Sequence, residues 1–315
     1  MTTPTAGSSG PCGIDVTPLS VPAPPDDNLL LVGARQARLP RNRLLAALVV
    51  IAGLAFALLG MGVTAIPALL AFGSDLRKPI TSPLITAAAF SGVWLALLLW
   101  VRLVERRPFR SVGLEGDRPL GRYLVGFGIG LAMFAAVVGL LVLTGAARFE
   151  ELSLDSGAIL AVVVAALAYS VQGPAEELLM RGWLMPVVAA RFGLAAGMIV
   201  QTVVFTLLHG ASPGFSPIAF ASLVTVSLLL AFWALRDENL WSVMGWHAAW
   251  NWTQGNLFGI AVSGYPSSAA LLPVSVSGPA WLTGGPFGAE ASLPALGVLL
   301  AGLTVVLVRR RSARS

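Results

Sequence analysis

Charged residues are scarce in this 315-residue chain. Asp, Glu, Lys and Arg together make up 11% of the residues, whereas about a quarter of the residues in a soluble domain are charged. Hydrophobic residues make up 56%, and the mean hydropathy is +0.82. This composition excludes an ordinary soluble domain and predicts a protein that crosses a membrane several times.

Cysteine, histidine and lysine are also nearly absent. Cys12 is the single cysteine, which excludes an internal disulfide and any metal site built from several cysteines. Lys78 is the single lysine, and this preference for arginine is typical of a bacterial coding sequence of high GC content. The two histidines, His209 and His247, both lie inside apolar stretches. Helix packing alone must therefore hold the fold together.

Long runs without Asp, Glu, Lys or Arg define the expected membrane spans. About 20 such residues are enough for a helix to cross a bilayer. The runs cover residues 44–72, 79–101, 123–144, 157–172, 192–208, 218–235, 240–262 and 291–308. We therefore expect an all-α, polytopic bundle of about eight transmembrane helices. Gly173-Pro174, Pro186 and Gly193 are sites where a helix could break.

The flanks of these runs are polar. Residues 1–43 are rich in Pro, Gly, Ser and Thr and are predicted to form a disordered cytoplasmic tail. Residues 44–308 are predicted to form one transmembrane domain, and residues 309–315 a short basic tail. Within the domain, the Pro- and Gly-rich segment 263–290 is expected to be an irregular external segment or a re-entrant cap.

The positions of the arginines predict the orientation, because cytoplasmic loops of membrane proteins carry the excess of Lys and Arg. With eight spans, all the arginine clusters fall on one side, and both termini are then cytoplasmic in a multi-pass protein of the cell membrane. We interpret the net charge of +5 as the result of these arginines, which set the orientation in the membrane and contact anionic lipid. We expect no nucleic-acid partner. The arginines are Arg35, Arg38, Arg41, Arg43, Arg102, Arg106, Arg107, Arg110, Arg118, Arg122, Arg309, Arg310, Arg311 and Arg314.

Three polar patterns interrupt the later apolar runs. Ionisable groups at membrane depth are costly and usually mark a functional site that faces protein or water. The patterns are Glu176-Glu177-Leu-Leu-Met-Arg181, Phe205-Thr-Leu-Leu-His209 and His247-Ala-Ala-Trp-Asn251. They predict an active site inside the membrane.

The two adjacent acids are expected to have different roles. Glu177 and Arg181 stand four residues apart with the acid first, which favours an ion pair on a helix. Glu176 has no cation at such a spacing and could serve as a general base after partial desolvation. The alternative is that all three charges lie at the membrane boundary and only anchor the helix.

The two histidine patterns also allow two interpretations. His209 shares a helix face with Phe205, whose ring could shield the imidazole from lipid. His247 and Asn251 share a face as well, and two converging donors can form an oxyanion hole. The alternative is that His209 bonds a backbone carbonyl at a helix end, and that His247 and Asn251 link helices.

In this order, EExxxR, FxxxH and HxxxN resemble the three motifs of the CPBP family of intramembrane proteases, over roughly residues 161–256. This family includes CAAX prenyl endopeptidases of the Abi type and immunity relatives. The resemblance implies hydrolysis of a peptide bond in a membrane-anchored or lipidated substrate. Glu176 and His209 would activate water, His247 and Asn251 would stabilise the oxyanion, and Glu177 and Arg181 would support them.

The resemblance leaves the cofactor open. Members of the family are commonly described as metal-dependent endopeptidases, and a divalent ion such as zinc would have Glu176, His209 and His247 as its ligands. Zinc in a catalytic site typically takes three protein ligands and a water. The sequence contains no HExxH pattern, and we favour direct activation of water by Glu176 and His209.

Two other classes of function compete with the protease. In a proton-coupled transporter, Glu176, His209 and His247 would relay protons across the bundle, although the chain lacks the paired halves typical of transporters. A non-catalytic immunity or binding relative of the same fold would keep the helices without the reaction.

The arginine asymmetry gives a testable topology. Reporter fusions are expected to report a cytoplasmic Arg110 and an external Ser275, because arginine-rich loops stay in the cytoplasm. Fusions in each predicted loop, tested for activity on the two sides of the membrane, measure this. An external Arg110 would contradict the orientation.

Overall fold

The computed structural model describes residues 27–40, 42–73, 78–151, 156–267 and 269–308. Cys12, Arg41, residues 1–26 of the predicted tail and the basic segment 309–315 lie outside the described residues. The helices are α1 Leu29–Arg35, α2 Arg43–Phe72, α3 Thr81–Leu99, α4 Pro119–Leu143, α5 Ser156–Glu177, α6 Met185–Phe192, α7 Leu194–Leu208, α8 Pro217–Asp237, α9 Trp241–Trp252, α10 Ala280–Thr283 and α11 Leu293–Val308. Helical turns of the π type continue α3 over Trp100–Val104, α5 over Leu178–Leu184 and α9 over Thr253–Leu257.

Most of this structure is helical, which confirms the all-α bundle. Two shorter apolar helices, Leu194–Leu208 and Leu293–Val308, accompany five that are long and apolar enough to cross a membrane. Outward-facing side chains are apolar, with Leu70 83% and Leu143 84% exposed, as expected where lipid replaces water. The number of crossings and the orientation stay predictions. The five are Arg43–Phe72, Thr81–Val104, Pro119–Leu143, Ser156–Phe192 and Pro217–Asp237.

The helix that carries the acids is longer than expected and folds into a hairpin with α7. It runs unbroken from Ser156 to Phe192, through Gly173-Pro174 and Pro186, and ends at Gly193, where φ is +90°. Residue 176 lies 17 positions before Gly193 and residue 209 lies 16 positions after it. At 1.5 Å per residue, both are about 25 Å from the turn. The hairpin therefore brings Glu176 and His209 to the same level of the bundle.

The N-terminal segment differs from the predicted tail. Residues 29–35 form α1, whose Leu30 and Leu31 side chains are buried. The side-chain amide of Asn28 donates a hydrogen bond of 2.8 Å to the backbone oxygen of Leu235 at the end of α8. The apolar Leu29-Leu-Leu-Val sequence explains the difference, because it supplies enough buried surface to hold this short helix on the core.

A buried ion pair connects α1 to the helix that carries the acids. Arg107 Nε donates to Glu105 Oε2 at 2.6 Å, and both side chains are almost fully buried. Arg107 Nη1 also donates to the backbone oxygen of Gly33 in α1. Trp183 donates its indole N–H to Glu105 Oε1 at 2.6 Å. This network fixes α1 and the loop after α3 against the π turn of α5.

Helices α4 and α9 pack through glycines. A Cβ atom on Gly126 would lie 1.8 Å from the backbone oxygen of Ser242, and one on Gly130 would lie 2.5 Å from that of Trp246. On the other helix, a Cβ on Gly245 would lie 2.0 Å from the oxygen of Tyr123. Small residues four apart allow membrane helices to approach this closely. The contact fixes the position of α9, which carries His247.

The segment between α9 and α11, here called the cap segment (residues 259–291), is irregular, as predicted. Its strand β2, Val274–Val276, pairs antiparallel with β1, Ala147–Phe149, and the register aligns Ala147 with Val276. Turns of 3-10 helix follow at Gly285–Phe287 and Ala289–Ala291. The backbone N–H of Gly264 donates to the oxygen of Phe287 at 2.8 Å. The ring of Phe287 packs edge-on against Phe215, so the cap segment lies over the turn that follows α7.

The glycine contact between α4 and α9 can be tested by enlarging it. Gly126→Leu is expected to destabilise the protein by about 1–3 kcal/mol or more, because the new side chain has to displace backbone atoms. Gly128→Leu is the matched control, since a Cβ on Gly128 meets nothing within 4 Å. Thermal unfolding in detergent measures both. Equal stability of the two variants would contradict the packing.

Candidate active site

The structure brings the three predicted patterns together from three helices. Glu176 and Glu177 end α5, and Arg181 lies in the π turn that follows. His209 caps the C-terminal end of α7. His247 and Asn251 lie on α9, where both are buried.

Glu177 is the centre of the site. Its Oε1 atom accepts hydrogen bonds from Arg181 Nη1 at 2.8 Å and from His247 Nδ1 at 2.7 Å. The side chains of Glu177 and Arg181 are completely buried. The sequence spacing predicts the contact with Arg181, but it gives no indication of the contact with His247. Glu177 therefore joins α5 to α9 in addition to pairing along its own helix.

Arg181 extends these contacts to two more helices. Its Nη2 atom donates to the backbone oxygen of Ser227 in α8 at 3.3 Å. Its guanidinium lies 4.7 Å from the centre of the Phe205 ring in α7, a cation–π geometry. Arg181 lies in the π turn Leu178–Leu184. Because the hydrogen bonds of a π turn join residues five apart instead of four, the turn changes the direction in which the side chains after Glu177 point. Arg181 thus holds α5, α7 and α8 around one carboxylate.

A glycine allows α9 to approach the acids. A Cβ on Gly173 would lie 2.7 Å from the backbone nitrogen of Ala248 and 3.1 Å from the carbonyl carbon of His247. Any side chain there would push α9 away. Since His247 Nδ1 reaches Glu177 at 2.7 Å, Gly173 is needed for that hydrogen bond.

His247 faces both acids through its two ring nitrogens. Nδ1 donates its proton to Glu177, because a carboxylate can only accept. Nε2 lies 3.7 Å from Glu176 Oε2. In the neutral ring Nε2 carries a lone pair, so His247 can donate from Nε2 only as an imidazolium.

Gln172 is a site residue that the sequence patterns missed. Its Nε2 atom donates to Glu176 Oε1 at 2.5 Å, and its Oε1 atom accepts from Asn251 Nδ2 at 2.9 Å. The side chain is buried. A glutamine inside an apolar run, four residues before Glu176, was the signal that could have found it. Gln172 fixes the orientation of both Glu176 and Asn251.

Glu176 Oε2 and Glu177 Oε2 both lack a hydrogen-bond donor among the described residues, but only the Glu176 side chain is partly exposed, at 14%. Glu176 Oε2 is buried and receives no hydrogen bond from any residue that the structure describes. A buried carboxylate oxygen without a donor costs about 1–3 kcal/mol or more. Such a group favours a water or substrate as its partner.

His209 has a defined tautomer. Its Nδ1 atom lies 2.8 Å from the backbone oxygen of Phe205, and only a protonated nitrogen can bond a carbonyl oxygen. Nε2 of the neutral ring is therefore free to accept a proton. The Phe205 ring lies 4.7 Å from the His209 ring and 6.4 Å from the His247 ring, measured between centroids. Phe205 therefore contacts the rings of both histidines.

The three residues that the sequence offered as metal ligands do not form a ligand set. Glu176 Oε2 and His247 Nε2 are 3.7 Å apart, but His209 is not grouped with them. Throughout the described ranges, no three or more His, Cys, Asp or Glu side chains are arranged to hold a metal ion. The side chains as they stand do not fit a zinc site with three protein ligands.

The cap segment contributes a further acid, Glu290, which no sequence pattern indicated. Glu290 Oε1 accepts from the backbone N–H of Ser263 at 2.6 Å and from its hydroxyl at 3.1 Å. Burial raises the pKa of the Glu290 carboxyl, while the hydrogen bonds from Ser263 and the electrostatic interaction with His209 oppose that shift. The side chain also interacts with Trp250 on α9. Glu290 is 81 positions beyond His209 in the chain, so no local spacing could reveal their proximity.

A comparison with known protein families matches the segment that contains Glu176 and Asn251. Residues 157–253 match the family model described as type II CAAX prenyl endopeptidase Rce1-like. The matched segment contains all three patterns, and the match confirms the resemblance to the CPBP family. No curated protein matches the chain, and no solved structure does. The apolar helices and this match together identify an integral membrane protein with a CAAX-protease-like segment.

The buried ion pair can be tested by removing its cation. Arg181→Met is expected to lower the free energy of unfolding by about 3–5 kcal/mol, because Glu177 would remain as a buried charge without its arginine. The double variant Glu177→Gln with Arg181→Met should lose less free energy of unfolding, because it leaves no charged Glu177 without its arginine. Unfolding in detergent measures both effects.

Arg110→Met is the control, since Arg110 pairs with Glu115 at the surface and is 75% exposed. Surface pairs contribute roughly 0–1 kcal/mol, so little change is expected. If Arg181→Met were as stable as Arg110→Met, the central role of the pair would be wrong.

Proposed function

We propose that this protein is an intramembrane endopeptidase that hydrolyses a peptide bond in a membrane-anchored or lipidated protein. The observation that carries the proposal is the free Oε2 atom of Glu176, which is buried beside His247 Nε2. A carboxylate in such a position can take a proton from water in a site largely closed to bulk solvent. The family match over residues 157–253 supports the same reaction.

Glu176 acts as the general base. Gln172 holds Oε1 of the carboxylate, so Oε2 is the atom that meets the attacking water. As the water oxygen bonds to the carbonyl carbon, one of its protons moves to Glu176 Oε2. His209 assists through Nε2, which has a lone pair because Nδ1 is bonded to the Phe205 carbonyl.

The oxyanion is stabilised by donors from α9. Asn251 has two amide hydrogens, and one of them is bonded to Gln172. The second is available for the negative oxygen of the tetrahedral intermediate. His247 donates from Nε2 when its ring is an imidazolium, a form that the carboxylate of Glu177 stabilises through Nδ1. When the C–N bond breaks, the proton on Glu176 passes to the leaving amine.

Glu177 and Arg181 keep this arrangement in place. Glu177 carries the charge that a protonated His247 requires, and Arg181 neutralises it when the ring is neutral. Preorganised charges and donors of this kind stabilise a transition state without rearrangement during the reaction. Both residues act through His247 and are therefore positioning residues.

The base and an oxyanion donor can be separated by two substitutions. Glu176→Gln is expected to abolish single-turnover cleavage of a membrane-anchored peptide, because the amide cannot accept the proton from water. Asn251→Ala should slow cleavage by about 10²–10³-fold, the usual cost of losing one oxyanion donor. Both rates are measured on purified protein, along with thermal unfolding to verify folding.

Glu115→Gln is the matched control, because Glu115 lies at the surface in a pair with Arg110. It should cleave at the wild-type rate. A folded Asn251→Ala variant with wild-type cleavage would remove Asn251 from the mechanism. If the wild type cleaved no peptide in a panel of membrane-anchored and prenylated substrates, the transporter or the non-catalytic relative would be favoured instead.

A further inference from the structure

A polar cavity lies beside the site, between the start of α3, the middle of α5 and the end of α9. Its empty volume is about 310 Å³, open mouth included. The part of it that can hold the centres of water molecules is about 30 Å³, which is enough for about two or three waters. The residues that line it include Ser82, Thr86, Ala168, Tyr169, Asn256 and Ser267.

The lining is polar although α3 and α5 are long and apolar enough to cross a membrane. Side chains with hydroxyl or amide groups are costly there unless they meet protein partners or water. Asn256 Nδ2 donates to the backbone oxygen of Ala269 at 2.8 Å, and Ser267 Oγ donates to the same atom at 3.2 Å. The cavity is thus walled on one side by the cap segment and has enough polar groups to bind water.

A polar stripe on α5 leads from the cavity to the base. Tyr169, Gln172 and Glu176 follow one another at positions i, i+3 and i+7, which lie on one face of a helix. Tyr169 lines the cavity, and Gln172 is bonded to Glu176. Seven residues of helix cover about 10 Å. The stripe therefore spans the distance between the cavity and the carboxylate.

The cap segment contributes a polar group, Glu290, near the region between the cavity and Glu176. The carboxylate of Glu290 is near enough to interact electrostatically with both Tyr169 and His209. On α9, Asn251 and Asn256 are about one turn apart, and the first is bonded to Gln172 while the second lines the cavity. Polar groups thus continue on several sides from the cavity to the predicted catalytic residues.

We propose that this cavity is the entrance for the water that the reaction consumes, and that the stripe Tyr169, Gln172 and Glu176 conducts that water to the base. This inference rests on the proposed endopeptidase function. Each hydrolysis uses one water, which enters the carboxyl product as OH and the amine product as H. A base buried at membrane level requires a route for that water separate from lipid.

The test uses the single cysteine of the chain. In a Cys12→Ser background, Thr86→Cys provides one thiol in the cavity, and a small cationic methanethiosulfonate reagent is attached to it after folding and purification. Leu167→Cys is the control, because Leu167 is on the same helix as Tyr169 and is 66% exposed to the lipid side. Labelling is followed by mass spectrometry. Cleavage is compared before and after reducing agent removes the label.

The proposal expects rapid labelling of Thr86→Cys and slow labelling of Leu167→Cys. With the label in place, kcat for peptide cleavage should fall by about tenfold or more with KM unchanged, because water delivery is blocked while substrate still binds. Reduction should restore kcat. The labelled Leu167→Cys variant should keep its turnover.

Two results would overturn the proposal. If the labelled Thr86→Cys variant kept its kcat, the cavity would not deliver water, and if only KM rose, it would bind peptide instead. In both cases the unlabelled proteins would still cleave, so the endopeptidase function would stand. The absence of cleavage by every variant, labelled or not, would instead reject the proposed function on which this inference depends.

Discussion

The hydrogen bonds to one oxygen atom, Glu177 Oε1, hold the site together. Arg181 donates to it from the π turn that continues the helix of Glu177, and His247 donates to it from α9. In a buried environment such charge-assisted bonds are strong, but an unpaired charge there is very costly. Helices α5, α7, α8 and α9 all contact Glu177 or Arg181. Moving any of them away would remove a partner from a buried charge, so these contacts stabilise the arrangement of the four helices.

The surrounding fold makes these short contacts possible. Gly126, Gly130 and Gly245 allow α9 to approach α4, and Gly173 allows it to approach α5. The hairpin at Gly193 then brings His209 level with Glu176. The four packing glycines leave no room for a larger side chain, and Gly193 reverses the chain direction, so each feature helps to position a residue of the candidate site.

The sequence predicted the helical class, but it predicted only some of the contacts between the residues of the candidate site. Glu177 and Arg181 lie four apart on one helix, so their contact follows from local spacing. Gln172 was missed because a single glutamine in an apolar run has no pattern of its own. Glu290 was missed because the turns of the cap segment decide where it lies. The level of His209 relative to Glu176 could not be predicted from local spacing, because it depends on how far α5, its π turn and α6 continue before Gly193.

The contacts of the buried pair Glu105–Arg107 show that the packed structure extends beyond the segment that matches the family. The family match begins at residue 157 and ends at residue 253. However, Trp183 inside it gives its indole proton to Glu105, and Arg107 continues to the backbone of Gly33. A fragment cut at the borders of the match would keep every motif and still contain a buried indole N–H without its acceptor. The matched segment is thus part of a larger packed unit, and the residues outside it that contact Trp183 and Arg107 belong to none of the three motifs.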